Sequence, residues 1–132
     1  MKPVAFEYCR PGTLEEVMEL LTEFGGDASI ISGGVSLGAM LNMRLVRPKA
    51  LIDINHVLEL ENVEFDDATA ITGALVRQAA AQKITSLMSG VPLLAMSLPW
   101  VGHYQTKSRG TLGGSVAPVS YTHLTLPTKR IV

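Results

Sequence analysis

The strongest constraint on this chain is the alternation of short apolar runs with helix-period segments between Phe6 and Ile54. Phe6-Glu7-Tyr8 alternates and is closed by Arg10-Pro11-Gly12, which predicts a strand or extended lead-in and a turn. Thr13 followed by Glu16 is a capping box, in which the hydroxyl accepts from the N–H three residues on while the carboxylate reaches back. Leu14, Val17, Leu20, Leu21 and Phe24 then share one face before Gly25-Gly26, so the spacing predicts a helix over 14–24. Ala28-Ser29-Ile30-Ile31 reads as a buried strand running straight into Ser32-Gly33-Gly34. Leu37, Met40, Leu41 and Leu45 predict a second helix, with Arg44 and Arg47 complementing its C-terminal dipole and Pro48 ending it. Ala50-Leu51-Ile52-Asp53-Ile54 is a third strand. A β-α-β-α-β order favours a parallel sheet, and ligands of such sheets bind beyond the carboxyl ends of the strands.

From Val57 the texture changes. Val57 to Leu60 suggests a helical turn, and Val63-Glu64-Phe65 with Ala70-Ile71-Thr72 predicts a hairpin around residues 66–68. Helical spacing runs from Val76 to Met88, and a second apolar stretch from Leu93 to Leu98 is closed by Pro99. His103 to Lys107 has no strong period. The chain has 132 residues, room for one modest domain or a piece of one. A net charge of -1 removes a whole-protein electrostatic case for binding nucleic acid, so any anion site must be local. The lone Cys9 excludes an internal disulfide and reads as a small core hydrophobe. With no export signal and no apolar run long enough to span a bilayer, the expectation is a soluble, cytoplasmic protein.

Two glycine-rich stretches carry the chemistry. Ser108-Arg109-Gly110-Thr111-Leu112-Gly113-Gly114-Ser115 follows Lys107 and suits a loop that wraps a phosphate; Ser32-Gly33-Gly34-Val35-Ser36 sits between a predicted strand and helix. Glycine lets backbone approach closely and take positive φ, while N–H groups in a turn or at a helix start donate to phosphate oxygens. The competing readings are a strand-to-helix turn that needs glycine for geometry alone and a flexible surface loop. Neither stretch matches G-x-G-x-x-G or G-x-x-x-x-G-K-[ST]. His56, His103 and His123 are scattered, so no metal site is proposed. Asp53, Glu59, Glu61, Glu64, Asp66 and Asp67 fall around predicted turns and read as solvated charge, leaving no catalytic dyad. Nucleophilic catalysis has no support, so any redox chemistry must come from a cofactor.

The ordered set Phe6-x-Tyr8-x-x-Pro11, Ser32-Gly33-Gly34-Val35-Ser36-Leu37, Pro48-x-x-Leu51-Ile52-Asp53-Ile54, Ile71-Thr72-Gly73-Ala74 and Arg109-Gly110-Thr111-Leu112-Gly113-Gly114-Ser115-Val116-Ala117 resembles the N-terminal part of the FAD-binding subunit of molybdenum hydroxylases, of xanthine dehydrogenase and carbon monoxide dehydrogenase type. The resemblance implies an α+β, two-subdomain FAD-binding fold of the vanillyl-alcohol-oxidase (PCMH) type, with a small β-α-β subdomain at about 3–54 and the start of a larger one at about 55–117. It implies non-covalent FAD, its pyrophosphate held by Ser32, Gly33, Gly34, Val35 and Ser36 and by Gly110, Thr111, Leu112, Gly113, Gly114 and Ser115. It also implies an electron-transfer role beside a molybdenum-cofactor subunit and an iron–sulfur subunit. The rival is a non-catalytic partner-binding module whose glycines only shape turns and whose apolar faces around 76–98 bury against another subunit.

Ser32 stands where the family usually has alanine, and Ser115 where asparagine often follows the last glycine pair. After Ala117 the expected His-Ala-Asp-Pro-like stretch is replaced, and Val119 to Val132 resembles translated adaptor or vector sequence. The expectation is a truncated FAD domain over 1–117 followed by a non-native tail over 118–132.

Overall fold

The computed structural model describes residues 1–67 and 69–117, so the expectation for 118–132 lies outside the described residues. Three strands, β1 (Glu7–Cys9), β2 (Ala28–Ile31) and β3 (Ala50–Asp53), form a parallel sheet in the order β1-β3-β2. Glu7 pairs with Ala50 and Ile31 with Asp53, so all three strands run toward the same edge. All four β3 residues are buried, as expected for a central parallel strand with an uninterrupted apolar run.

Helix α1 (Leu14–Phe24) has the predicted bounds. The Glu16 N–H donates to Thr13 Oγ1 at 3.3 Å, while the Glu16 carboxylate accepts from the Gly12 N–H at 2.6 Å, one residue further back than a standard capping box. Gly25, at φ 52, ends the helix. Val17, Leu20 and Leu21 pack with Ile52, Ile54, Val57 and Leu75 in a first core, against which Cys9 is partly buried.

Helix α2 (Val35–Asn42) is shorter than its apolar spacing predicts. Arg44 takes the left-handed conformation, φ 57, and the Leu45 N–H returns to Met40 O at 2.9 Å, a Schellman-type stop. Leu45 is therefore exposed, and Arg44 and Arg47 lie beyond the last helical turn they were expected to occupy.

A 3-10 turn at Leu58–Glu61 precedes a hairpin of β4 (Val63–Phe65) and β5 (Ala70–Thr72), antiparallel with Val63 opposite Thr72. The continuous helical period expected from Val76 to Met88 divides into α3 (Gln78–Ala81) and α4 (Thr85–Gly90). One contact delays its start and one local feature divides it. Val76 O accepts from the Leu112 N–H and Arg77 bridges antiparallel to Thr111, which holds this end extended; Ile84, next to the β-branched Thr85, is also extended. Helix α5 (Pro92–Ser97) begins with proline in its first turn, and Pro99 lies inside a 3-10 turn at Leu98–Trp100. The aperiodic segment after His103 is a helix, α6 (Tyr104–Arg109), followed by α7 (Leu112–Val116). Val76, Ala81, Leu87 and Leu98 centre a second core that takes in Val63, Ala70 and Leu112. The first core thus extends past residue 54 to Val57 and Leu75, and the two cores adjoin at Leu75-Val76. Among the described residues no helix is long and apolar enough to cross a membrane.

Candidate functional site

The carboxyl edge of the parallel sheet opens into a cleft of about 480 Å³. Tyr8, Ile31 and Asp53 line it from the three strands, and Ser32, Gly33, Gly34 and Val35 from the turn after β2. Gln105, Thr106 and Arg109 of α6 close the opposite side. This is where strand polarity puts a ligand in a parallel sheet.

The turn after β2 has the form of an anion-binding nest. Gly34 sits at φ 69, and α2 starts at the next residue. Among the described residues the N–H groups of Gly33, Gly34, Val35 and Ser36 have no hydrogen-bond acceptor. Such donors at a helix start, reinforced by the helix dipole, suit a phosphate. Gly33 is required for a separate reason: a Cβ there would fall on the Arg109 carbonyl oxygen.

The second glycine stretch is not a loop but a helix end, a two-residue link and a helix start. Its amide donors are mostly engaged inside the protein. Gly110 N–H donates to Thr106 O at 2.7 Å, Leu112 to Val76 O at 2.9 Å, Gly113 to Ala74 O at 3.0 Å and Ser115 to Thr111 O at 3.2 Å. The Gly114 N–H donates to Thr111 Oγ1 at 2.9 Å, making Thr111, only 1% exposed, the N-cap of α7. Ser115 Oγ accepts from Gln78 Nε2 at 2.6 Å and donates to Thr111 O at 3.2 Å. Gln78 Oε1 is buried without a donor among the described residues. Gly113 packs so closely that a Cβ would come within 2.6 Å of Ala74 Cβ.

The two stretches meet. Ser32 Oγ lies 3.1 Å from Thr111 Oγ1, and a Cβ on Gly114 would be 3.0 Å from Ser32 Oγ. Of the sequence-predicted residues, Ser32, Gly33, Gly34 and Val35 line the cleft; Ser36 follows on the first turn of α2, and Gly110 to Ser115 stand behind the cleft wall.

Beneath the cleft runs a polar network that the sequence reading missed. Asp53, read as solvated charge, is 9% exposed and accepts from Tyr8 Oη, from the Asn55 N–H at 3.0 Å and from Asn55 Nδ2. Burial pushes its carboxyl up, but the bonds from Tyr8 and Asn55, with His56 nearby, outweigh this and hold it below the usual carboxylate value. The bond to Asp53, then burial and the carboxylate's charge, push the Tyr8 phenol up against a smaller opposing pull from Arg10. Asn55 Nδ2 also donates to Ser32 O at 2.8 Å, Arg77 Nη2 to Asn55 Oδ1 at 2.5 Å, and Arg77 Nη1 to Arg109 O at 2.6 Å. A usable signal was Asp53-x-Asn55 directly after a central strand, an Asx-type turn at the edge where ligands bind.

Comparison with known proteins agrees with this geometry. The family described as the FAD binding domain in molybdopterin dehydrogenase matches residues 4–123. The chain is 41% identical over 117 residues to the 6-hydroxypseudooxynicotine dehydrogenase complex subunit alpha of Paenarthrobacter nicotinovorans, covering 89% of this chain and 40% of that one. It is 40% identical over 116 residues to the caffeine dehydrogenase subunit beta of Pseudomonas sp. strain CBB1, covering 88% and 39%. Among solved structures, carbon monoxide dehydrogenase from Hydrogenophaga pseudoflava superposes with a TM-score of 0.85 at 34% identity, over 89% of this chain and 41% of that one. Quinoline 2-oxidoreductase from Pseudomonas putida 86 gives 0.84 at 38% identity, with the same coverage. The chain spans about 40% of the length of these curated relatives.

Proposed function

The chain belongs to the FAD-binding domain family of molybdopterin dehydrogenases, and from that membership we propose that it holds FAD, non-covalently, for electron transfer within a molybdenum hydroxylase. Its α+β architecture is that of the PCMH-type FAD-binding fold. The observation that carries the assignment of the site is the run of N–H groups from Gly33 to Ser36 without acceptors among the described residues, beginning at Gly33, Gly34 and Val35 on the wall of the cleft at the sheet's carboxyl edge. These donors and the Ser32 and Ser36 hydroxyls receive the pyrophosphate, and Arg109 adds a positive charge on the facing wall. Gly110, Thr111, Leu112, Gly113, Gly114 and Ser115 serve the same pyrophosphate mainly by holding Ser32 and Arg109 in place, with the bare Cα of Gly114 leaving room beside Ser32. FAD, once bound, supplies the redox chemistry; the residues of this chain bind it and orient it.

In the whole protein the partners are a molybdenum-cofactor subunit and an iron–sulfur subunit, and the compartment is the cytoplasm, consistent with a single thiol. Residues 1–117 are then the first part of the FAD domain, and 118–132 a non-native tail. The genomic sequence downstream of codon 117 tests that division: a continuing frame with an Asp-Pro motif supports it, and a native stop after Val132 overturns it.

A second reading, a partner-binding module without FAD, draws on the exposure of Leu93, Met96 and Trp100 around α5. A titration of the purified chain, followed by flavin absorbance and fluorescence, separates the two. The expected result is one FAD per chain, with ADP competing and riboflavin failing to bind, because the pyrophosphate carries the recognition. Absence of FAD binding, or equal binding of riboflavin, overturns the site assignment.

A further inference from the structure

Asn55 and Arg77 make no demand on the pairing of the sheet or on either apolar core, yet their bonds join both glycine stretches. Asn55 Nδ2 holds Ser32 O at 2.8 Å, and its Oδ1 receives Arg77 Nη2 at 2.5 Å. The other arm of the guanidinium holds Arg109 O at 2.6 Å, the same oxygen against which the bare Cα of Gly33 rests. One end of the path is therefore the carbonyl that opens the first stretch, and the other is the carbonyl that precedes Gly110. Asp53 anchors the middle, accepting from Asn55 twice.

We propose that Asn55 and Arg77 are positioning residues, a polar strut that fixes Ser32 and Arg109 relative to each other so that the N–H groups of Gly33 to Ser36 converge on one anion. A backbone nest binds only when its donors converge, so its affinity depends on how firmly the two flanking carbonyls are held. Both ends of the strut accept from neutral or cationic donors, and neither end is a group the ligand itself would occupy. The guanidinium has no carboxylate partner among the described residues, where the ion pair is Lys49 with Asp27. Its charge therefore also adds to the positive potential of the smaller cleft that Arg77 and Arg109 line together with Ser108.

The inference rests on the reading of the cleft as a pyrophosphate site, and its test separates the two. The 132-residue chain and the variants Asn55→Ala, Arg77→Met and the double variant are compared in two measurements. The first is the set of backbone N–H order parameters of the FAD-free protein over residues 31–37, from NMR relaxation, which needs neither a ligand nor a hydrogen-bonded amide. The second is FAD affinity by fluorescence titration. Each single variant is expected to show lower N–H order parameters over 31–37 and to bind FAD about tenfold or more weakly, with the double variant no worse than the weaker single, since one strut is broken only once. Unchanged order parameters over 31–37, or losses that simply add, overturn the strut. If the parent chain fails to bind FAD, the pyrophosphate reading falls, and the strut stands or falls on the order parameters alone. Melting temperatures of the FAD-free variants within a few degrees of the parent, alongside weakened binding, mark positioning; a large common drop in melting temperature that accounts for the lost binding overturns it.

Discussion

The turn at Ser32 to Ser36 and the stretch at Gly110 to Ser115 look alike as sequence and differ in nearly everything that decides function. Both pair adjacent glycines with hydroxyl residues. In the first, four successive N–H groups have no acceptor among the described residues, and three of them belong to residues that line the cleft; in the second, five N–H groups already have partners inside the protein. The glycines differ as well. Gly34 takes a positive φ and Gly33 admits a carbonyl, whereas Gly113 is at negative φ and small only because Ala74 leaves it no room. Glycine content therefore reports close approach, and only the destination of the amides says whether the approach is to a ligand or to the protein itself.

The largest effect that follows from this difference is on folding, at the second stretch. In Gly113→Ala the new methyl would sit 2.6 to 2.7 Å from Ala74 Cβ, Cα and O, two of them backbone atoms that cannot rotate away. The expected loss is about 3 kcal/mol of stability, or roughly 10 °C in melting temperature by circular dichroism of the FAD-free chain. A variant that melts normally but fails to bind FAD would break the division of labour between the two stretches.

The next effect is on binding, at the first stretch. Ser36 lies in the first turn of α2, where its N–H has no intrahelical partner and proline is tolerated. Ser36→Pro removes a single donor and, with Ser36→Ala as the control for the hydroxyl, should weaken FAD binding about tenfold, as expected for one bond to a charged acceptor. Melting of the FAD-free variant is followed alongside, because a proline at Ser36 crowds the helical Val35 before it. If Ser36→Pro binds FAD as Ser36→Ala does, the nest does not reach this amide.

How far these roles were legible in the sequence depended on the range of the forces involved. The helix at Leu14–Phe24 and the strand order are written in local signals, the Thr13 cap, the Gly25 stop and the apolar runs, and the structure agrees with them. Helix α6 was missed because six residues present less than two turns, too few for a period, and no side chain caps its start. The late start of α3 at Gln78 was missed because its cause is tertiary, the bridge from Arg77 to Thr111. The same applies to the site. That the two glycine stretches serve one ligand is what the family resemblance implies, but that the Gly110 to Ser115 amides are engaged depends on Ala74 and Val76, whose own sequence carries no mark of it. Asp53 was read as solvated because a carboxylate near a turn usually is; its burial follows from being the last residue of a central strand.

The smallest effect concerns the floor beneath the cleft. Tyr8→Phe removes the phenol that donates to Asp53 and leaves the Asn55 bonds in place. Asp53 has its pKa lowered in the folded protein, so its stabilising contribution is present above the unfolded value, 3.8, and is lost as pH falls through the lower folded value. Tyr8 has its pKa raised, so its contribution is complete below the unfolded value, 10.0, and is lost as pH rises through the higher folded value. The stability gap between parent and Tyr8→Phe should therefore be flat across neutral pH, narrow in acid as Asp53 protonates and narrow again in base as the phenol ionises. With the ring half exposed, solvent screening limits the plateau to less than about 1 kcal/mol, measurable by urea denaturation at a series of pH values. A gap that keeps growing into acid would show that Asp53 is held by something other than the phenol and Asn55. FAD affinity should fall less in Tyr8→Phe than in Asn55→Ala, because Tyr8 touches the strut only through Asp53, whereas Asn55 holds Ser32 directly.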